Sequence, residues 1–337
     1  MFKGKNILII KYSSLGDIIN ALPAVKFLRQ NCPEARIYWL LKKEYAGLFS
    51  DDPIYDSIIV YAGNNYKAVN NLINKLRSLN VDITIDLQGL LKSALFGYMS
   101  GAKARYCFRH TREGSDIFYT KKLGYNRKDV HAVEENLSVI EELLGQRLDS
   151  KHDFEITFKK NTIDRARELI KPSPENKNPV IIVSPTSRWQ SKMWGQDRFA
   201  RLSDMLIGTI GARIFFTGTQ NDSRYIEDIR QKMKNASVNL AGKTDLKTLA
   251  GTIKSSDLVI SCDSGAMHLA SAMGTPVVAI FGPTNPKQTG PFGKNSVVVS
   301  SGADCSPCRK RKCSSLACMN NITPEAVYEK SGELLCR

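Results

Sequence analysis

Short runs of β-branched and other apolar residues alternate along this chain with longer stretches whose apolar positions recur every third or fourth residue. The first pattern belongs to buried strands and the second to amphipathic helices. In the first half the pattern predicts strands over 6–11, 35–41, 57–61 and 82–87, with helices over 17–30, 66–79 and 90–99. A basic, less regular stretch follows, then a helix over 131–144 stopped by Gly145. Segment 171–179 has three prolines and no apolar residue, which reads as a connection between domains. The pattern then restarts, with strands over 180–184, 213–216, 257–261 and 276–281 and helices over 196–210, 222–233 and 245–255. Strands that alternate with helices imply an α/β fold with parallel sheets. The restart implies two Rossmann-like, doubly wound domains, 1–170 and 171–323, facing each other across a cleft. A helical tail over 324–337 is expected to pack back on the first half.

A chain of 337 residues is long enough for two domains, and 42% hydrophobic with 24% charged residues fits a soluble globular protein. No stretch approaches the ~20 apolar residues of a membrane span. The first ten residues read as strand one, not a signal peptide. The expected location is the cytoplasm, where the eight cysteines would stay reduced. The net charge of +15 calls for an anionic partner: nucleic acid, an anionic membrane or a phosphorylated substrate.

Candidate chemistry collects where strands run into helices. Asp263-Ser264-Gly265 lies between an apolar strand and a short helix, so free N–H groups and the helix dipole favour an anion there. His268 follows Ser264 by four residues and shares its side of the first turn. The same residues also fit a plain helix cap with a satisfied histidine. Both halves run an apolar strand into a hydroxyl-rich loop, Ser13-Ser14 in one and Thr186-Ser187 in the other. Asp17 follows the first loop beside Gly16, where a carboxylate either caps the helix or accepts a proton from a bound hydroxyl. Lys192 follows the second loop as a mobile point charge suited to phosphate. Trp189 and Trp194 beside it either meet a ligand ring or fill the core. Between positions 92 and 128 nine basic residues face two acidic ones, a charge run that suits either a solvated face or a second anionic substrate. Cys305, Cys308, Cys313 and Cys318 stand close together with four cations among them, and are a candidate structural zinc knuckle.

Taken together, these segments resemble the bacterial lipopolysaccharide heptosyltransferases, glycosyltransferase family 9, over nearly the whole chain. The resemblance rests on Lys11-Tyr-Ser-Ser-Leu-Gly-Asp17, Asp86-Leu-Gln-Gly-Leu-Leu-Lys92 and Lys192-x-Trp194. It rests also on Asp263-Ser-Gly-x-x-His268 and Phe281-Gly-Pro-Thr-x-Pro. It implies the GT-B fold, an ADP-heptose donor, a lipopolysaccharide inner-core acceptor and an inverting reaction that requires no cofactor or divalent metal. By position it makes Asp17 the general base and puts Lys192, Thr186 and Ser187 along the donor diphosphate. Asp263, Ser264, Gly265 and His268 would cradle the nucleotide. Thr244 would lie near the adenine, and Asp222 would stand where the family usually has a glutamate for the ribose. Ser14, Gly16, Lys92, Arg105 and Arg109 would face the acceptor. The basic field would suit the acceptor's acidic groups and hold the protein peripherally on the anionic inner face of the cytoplasmic membrane. A nucleotide-sugar epimerase, a non-catalytic sugar-nucleotide sensor and a basic nucleic-acid-binding protein are the rival readings. No aromatic-rich basic sheet motif supports the last, so no nucleic-acid partner is expected.

Overall fold

The computed structural model describes residues 2–125, 129–148, 155–170 and 178–336. They form two compact units, Met1–Thr157 and Phe158–Arg337. The first runs β1 (Asn6–Ile10), α1 (Leu15–Asn31), β2 (Arg36–Lys42), α2 (Lys43–Phe49), β3 (Ser57–Tyr61) and α3 (Tyr66–Ser78). It continues with β4 (Ile83–Asp86), α4 (Leu91–Met99), β5 (Ala104–Phe108), β6 (Lys121–Leu123) and α5 (Ala132–Leu144). The second runs α6 (Lys160–Ile170), β7 (Val180–Ser184), α7 (Gln196–Ile210), β8 (Arg213–Phe216), α8 (Ser223–Lys232), β9 (Val238–Asn239) and α9 (Leu246–Lys254). It ends with β10 (Leu258–Cys262), α10 (Gly265–Ala272), β11 (Val277–Phe281), α11 (Pro286–Thr289), β12 (Ser296–Ser300), α12 (Ala317–Asn320) and α13 (Pro324–Leu335).

Each unit is built on a six-stranded sheet in which every pairing is parallel. The orders are β3-β2-β1-β4-β5-β6 and β12-β11-β10-β7-β8-β9. Parallel sheets are covered on both faces, so their inner strands are apolar throughout. Accordingly Ile7 to Ile10 of β1 and all five residues of β7, β10 and β11 are buried. Helix α1 is buried from Ile18 to Leu28, which explains why its sequence shows little polar face. In both sheets the chain reverses direction of winding beside the first strand, between β1 and β4 and between β7 and β10. A crevice opens outside the carboxyl ends of the strands at such a switch point, and ligands bind there.

Three expectations change. The irregular basic stretch contains β5, whose first three residues are only half-buried, and β6, three residues long with two exposed lysines, so neither shows a run of buried apolar positions. The second unit begins at Phe158, before the expected boundary at 170/171, because α6 packs on α9. A Cβ at Gly251 would stand 2.6 Å from the Ala166 Cβ, so the close approach depends on glycine. The proline-rich connection lies, over 171–177, outside the described residues. The tail helix α13 packs within the second unit instead of returning to the first half. Val327 and Leu334 join the core that holds Trp194 and Phe199. Tyr328 Oη lies 3.0 Å from Thr209 Oγ1 on α7, and Glu325 pairs with Arg201 of the same helix. The apolar face of α13 was legible in the sequence, but its receiving groove was not. No helix among the described residues is long and apolar enough to cross a membrane.

Candidate active site

In the second unit the predicted residues collect along one edge, because all six strands point the same way. Thr186, Ser187 and Lys192 follow β7, Asp222 follows β8, Thr244 follows β9, and Asp263 to His268 follow β10. The centre is an ion pair, with Lys192 Nζ 2.6 Å from Asp263 Oδ2 and both side chains largely buried. Thr284 Oγ1, just past β11, donates to the same carboxylate oxygen at 2.5 Å. Ser187 Oγ donates to the Asp263 carbonyl at 2.8 Å, tying the β7 loop to the β10 loop. Ser264 caps α10, with its hydroxyl 3.0 Å from Ser261 Oγ, and Gly265 opens the helix. Thr186 and His268 are buried beside this cluster. Hydroxyls, one lysine and a helix N-terminus converge here, the arrangement that receives phosphate.

The tryptophans separate cleanly. Trp194 is core, 1% exposed, with Nε1 donating to the Ile322 carbonyl at 3.0 Å. Trp189 is half-buried, and Lys192 Nζ sits 4.6 Å from its ring centroid. Asp222 caps the turn before α8, accepting from Thr219 N–H at 2.7 Å and Thr219 Oγ1 at 2.6 Å. Thr244 lies in the loop just before Asp245, the N-cap of α9.

In the first unit Asp17 is exposed at the carboxyl end of β1. Its Oδ2 accepts from Ser14 N–H at 2.9 Å and from Ser14 Oγ at 2.7 Å, a capping box at the start of α1. The capping role and a proton-accepting role are compatible, because the bonds orient the carboxylate. Gly16 is buried in the first turn beside it. Lys92, near the start of α4, lies 5.2 Å from the ring centroid of Tyr61 at the carboxyl end of β3. The two expected arginines are engaged elsewhere. Arg105 sits in the body of β5, donates to the Phe118 and Ala102 carbonyls at 2.6 Å each, and stacks on Tyr98. Arg109 donates to the Gly124 carbonyl and grips both oxygens of Glu142 at 3.0 Å. Lys92 Nζ also donates to Asn64 Oδ1, so all three cations have partners within the first unit.

Sequence reasoning placed Asp86 and Lys11 in the family motifs but gave neither a role. Asp86, buried at the end of β4, accepts from Gln88 N–H at 2.7 Å, Gly89 N–H at 3.0 Å and Tyr119 Oη at 2.6 Å. Burial pushes its carboxyl above the usual carboxylate range, against the pull of these donors. Lys11, also buried, donates to the Leu87 carbonyl. Burial drives its ammonium below the ordinary lysine value, opposed by the charges of Asp17, Asp86 and Glu135. A lysine ending an apolar strand, answered by an aspartate ending the neighbouring strand, was the available signal. The depressed lysine has a pH consequence. Between its folded and unfolded pKa values the unfolded chain binds more protons, so this group makes stability rise with pH across that window. Thermal denaturation between pH 7 and 10 should therefore show a less positive slope in Lys11→Met than in the wild type. Identical slopes would contradict the burial of a charged lysine.

At the four cysteines of the candidate zinc knuckle, burial and then the neighbouring Cys305, Cys308 and Cys313 push the Cys318 thiol above the ordinary cysteine value. Among the described residues no three His, Cys, Asp or Glu side chains are grouped so that they could hold a metal ion. Cys305 is exposed, Cys308 and Cys313 are partly exposed, and Cys318 is buried under β11. Their spacing contains one C-x2-C pair, Cys305 and Cys308, and lacks a second.

Two doubly wound units, each with polar side chains gathered at the switch point of its sheet, are the architecture of GT-B glycosyltransferases. The described fold matches such enzymes in full. It superposes on the crystal structure of the glycosyl transferase family 9 from Veillonella parvula with a TM-score of 0.86 at 23% identity, covering 99% of this chain and 98% of that one. E. coli heptosyltransferase WaaC with ADP aligns with a TM-score of 0.77 at 23% identity, over 98% and 99%. In sequence the chain is 25% identical to the lipopolysaccharide core heptosyltransferase OpsX of Haemophilus influenzae, over 88% of this chain and 84% of that protein. Residues 69–318 match the model of glycosyltransferase family 9 (heptosyltransferase). The chain belongs to that family and is a glycosyltransferase.

Proposed function

We propose that this enzyme transfers heptose from ADP-heptose to the inner core of lipopolysaccharide, either Kdo-lipid A or heptosyl-Kdo-lipid A. The observation that supports the reading is the convergence of Lys192, Thr186, Ser187 and Thr284 around Asp263 at the start of α10, in a chain of this family. E. coli WaaC, a structural relative, binds ADP. Here the diphosphate would lie along Lys192, Thr186, Ser187 and the α10 N-terminus, with the nucleoside towards Asp222, Thr244 and His268. Asp17 would take the proton from the acceptor hydroxyl as its oxygen bonds to heptose C1. The bond from C1 to the diphosphate oxygen breaks on the opposite face, and the electron pair leaves with ADP. Charge gathers on that leaving group, and fixed positive groups stabilise it most in the transition state. On this reading no divalent metal is needed.

The basic surface suits an acceptor that carries phosphates and carboxylates and sits in an anionic leaflet. Peripheral contact with the inner face of the cytoplasmic membrane follows as part of the proposal. A test combines the purified protein with ADP-heptose and truncated core acceptors, in the presence of chelator, and follows the added mass. Acceptor-dependent addition of one heptose is expected. Free heptose released equally without acceptor would favour the epimerase or a hydrolase, and loss of transfer with chelator would overturn metal independence.

A further inference from the structure

The loop between β12 and α12, which carries the cysteines and the run Arg309-Lys310-Arg311-Lys312, is not a free appendage. Ser306 Oγ donates to the Gly282 carbonyl at 2.5 Å, and Arg309 N–H to the Pro283 carbonyl at 2.8 Å. Both carbonyls belong to the exit of β11, immediately before Thr284. On the other side Ser191 Oγ, next to Lys192, donates to the Lys310 carbonyl at 2.7 Å. The loop is thus stitched to the two segments that supply Lys192 and Thr284. Cys318 holds its far end: a Cβ at Gly282 would stand 3.1 Å from Cys318 Sγ.

These anchors bring one cation to the site. Arg311 Cζ lies 5.2 Å from the ring centroid of Trp189, and Lys192 Nζ lies 4.6 Å from the same centroid. The neighbouring cations are differently placed: Arg309 donates to Gln288, and Lys312 lines a cavity of about 310 Å³ with Gln190, Ser191 and Cys313. Charge accounting then matters. The Lys192 charge is already matched by Asp263 at 2.6 Å, so this pair offers a diphosphate no net positive charge. Two negative phosphates placed on a neutral pair would stay uncompensated in a site with buried walls. Arg311 is exposed, and its ring contact leaves the guanidinium edge available for a bidentate grip on phosphate.

We infer that Arg311 is a donor-binding residue, a second phosphate clamp delivered by the cysteine-bearing loop across the Trp189 ring. The inference rests on the nucleoside-diphosphate reading of the site above. It gives the loop a role in binding without any metal, and makes Trp189 the shared platform of two cations. It also predicts selectivity by phosphate number, because the clamp serves the diphosphate and not the nucleoside.

Calorimetric titration of the full chain with ADP, AMP and adenosine tests it, using Arg311→Ala, Arg311→Gln and Arg311→Lys. A loss of at least tenfold in ADP affinity is expected in the Ala and Gln variants, with a smaller loss for AMP and none for adenosine. Arg311→Lys should recover part of the loss, as a point charge without the fork. Melting temperatures of the variants should match the wild type, since the residue is exposed. ADP should also change the emission of Trp189 in the wild type, because Trp39 and Trp194 are fully buried. ADP affinity within twofold of wild type in both Arg311→Ala and Arg311→Gln overturns the inference and leaves the donor site standing. Equal losses for ADP and adenosine would make the loop a structural support only, which also overturns it. A wild-type chain that binds no ADP removes the donor reading itself, and this inference with it.

Discussion

Asp17→Asn is expected to lower transfer by a factor of about 10² to 10⁴, the usual worth of a positioned general base. Asparagine keeps a side-chain oxygen that can accept from Ser14, so the start of α1 stays capped. What it loses is the ability to take a proton from the acceptor hydroxyl. ADP affinity should stay within about twofold of wild type, since Asp17 lies in the first unit and the proposed donor groups in the second. Asp17→Ala should lose turnover to the same extent and also some stability, about 1 kcal/mol, from the broken capping box. Turnover by mass spectrometry and thermal denaturation of both variants separate the two roles. An asparagine variant that keeps more than a tenth of wild-type turnover would move the base elsewhere and leave Asp17 a helix cap.

Lys192→Ala is expected to damage the protein twice. Its partner Asp263 is 6% exposed at the side chain, and removing the ammonium strands a buried carboxylate to which Thr284 Oγ1 still donates. Breaking such a pair costs roughly 3–5 kcal/mol. Denaturant unfolding should show that loss. The double variant Lys192→Ala/Asp263→Ala should regain much of the stability, because no charge is then left unpaired. It should not regain ADP binding or transfer, because the phosphate site is gone. Recovery of transfer in the double variant would sink Lys192 as a donor contact. Failure of the double variant to regain stability would mean that the pair's burial is not what the single change disturbs.

The residues that announce themselves in the sequence are those whose role follows from a strand end. Asp17, Lys192 and the run Asp263 to His268 each come within a few residues of the carboxyl end of a buried apolar strand. In a parallel sheet that position alone puts them at the ligand-binding edge. The strand and helix pattern, its restart and the parallel α/β class were legible for the same reason, since burial on both faces leaves a local trace in each strand. Short strands and strands with exposed or charged residues leave a weaker trace, and β5, β6, β9 and β12 escaped accordingly.

Contacts between distant segments decided the rest. Arg105 and Arg109 look like free cations in a basic field until Phe118, Ala102 and Glu142 are folded against them. The capping pattern from Ser14 to Asp17 is local, but Lys11 and Asp86 come together only because β1 and β4 pair across the switch point. The tail helix shows an apolar face and a clear start at Pro324 in the sequence. Which core it completes depended on a groove formed by α7 and β10 to β12. The cysteine-bearing loop shows the same division. Its charges and thiols were visible from composition, yet the chemistry of Arg311 depends on Trp189, far away in sequence. Local sequence determined which elements form and which strand ends carry polar groups. The tertiary structure decided which charges are neutralised and which stay available, because electrostatic partnership depends on distance in space and burial, and neither is written in the spacing of residues along the chain.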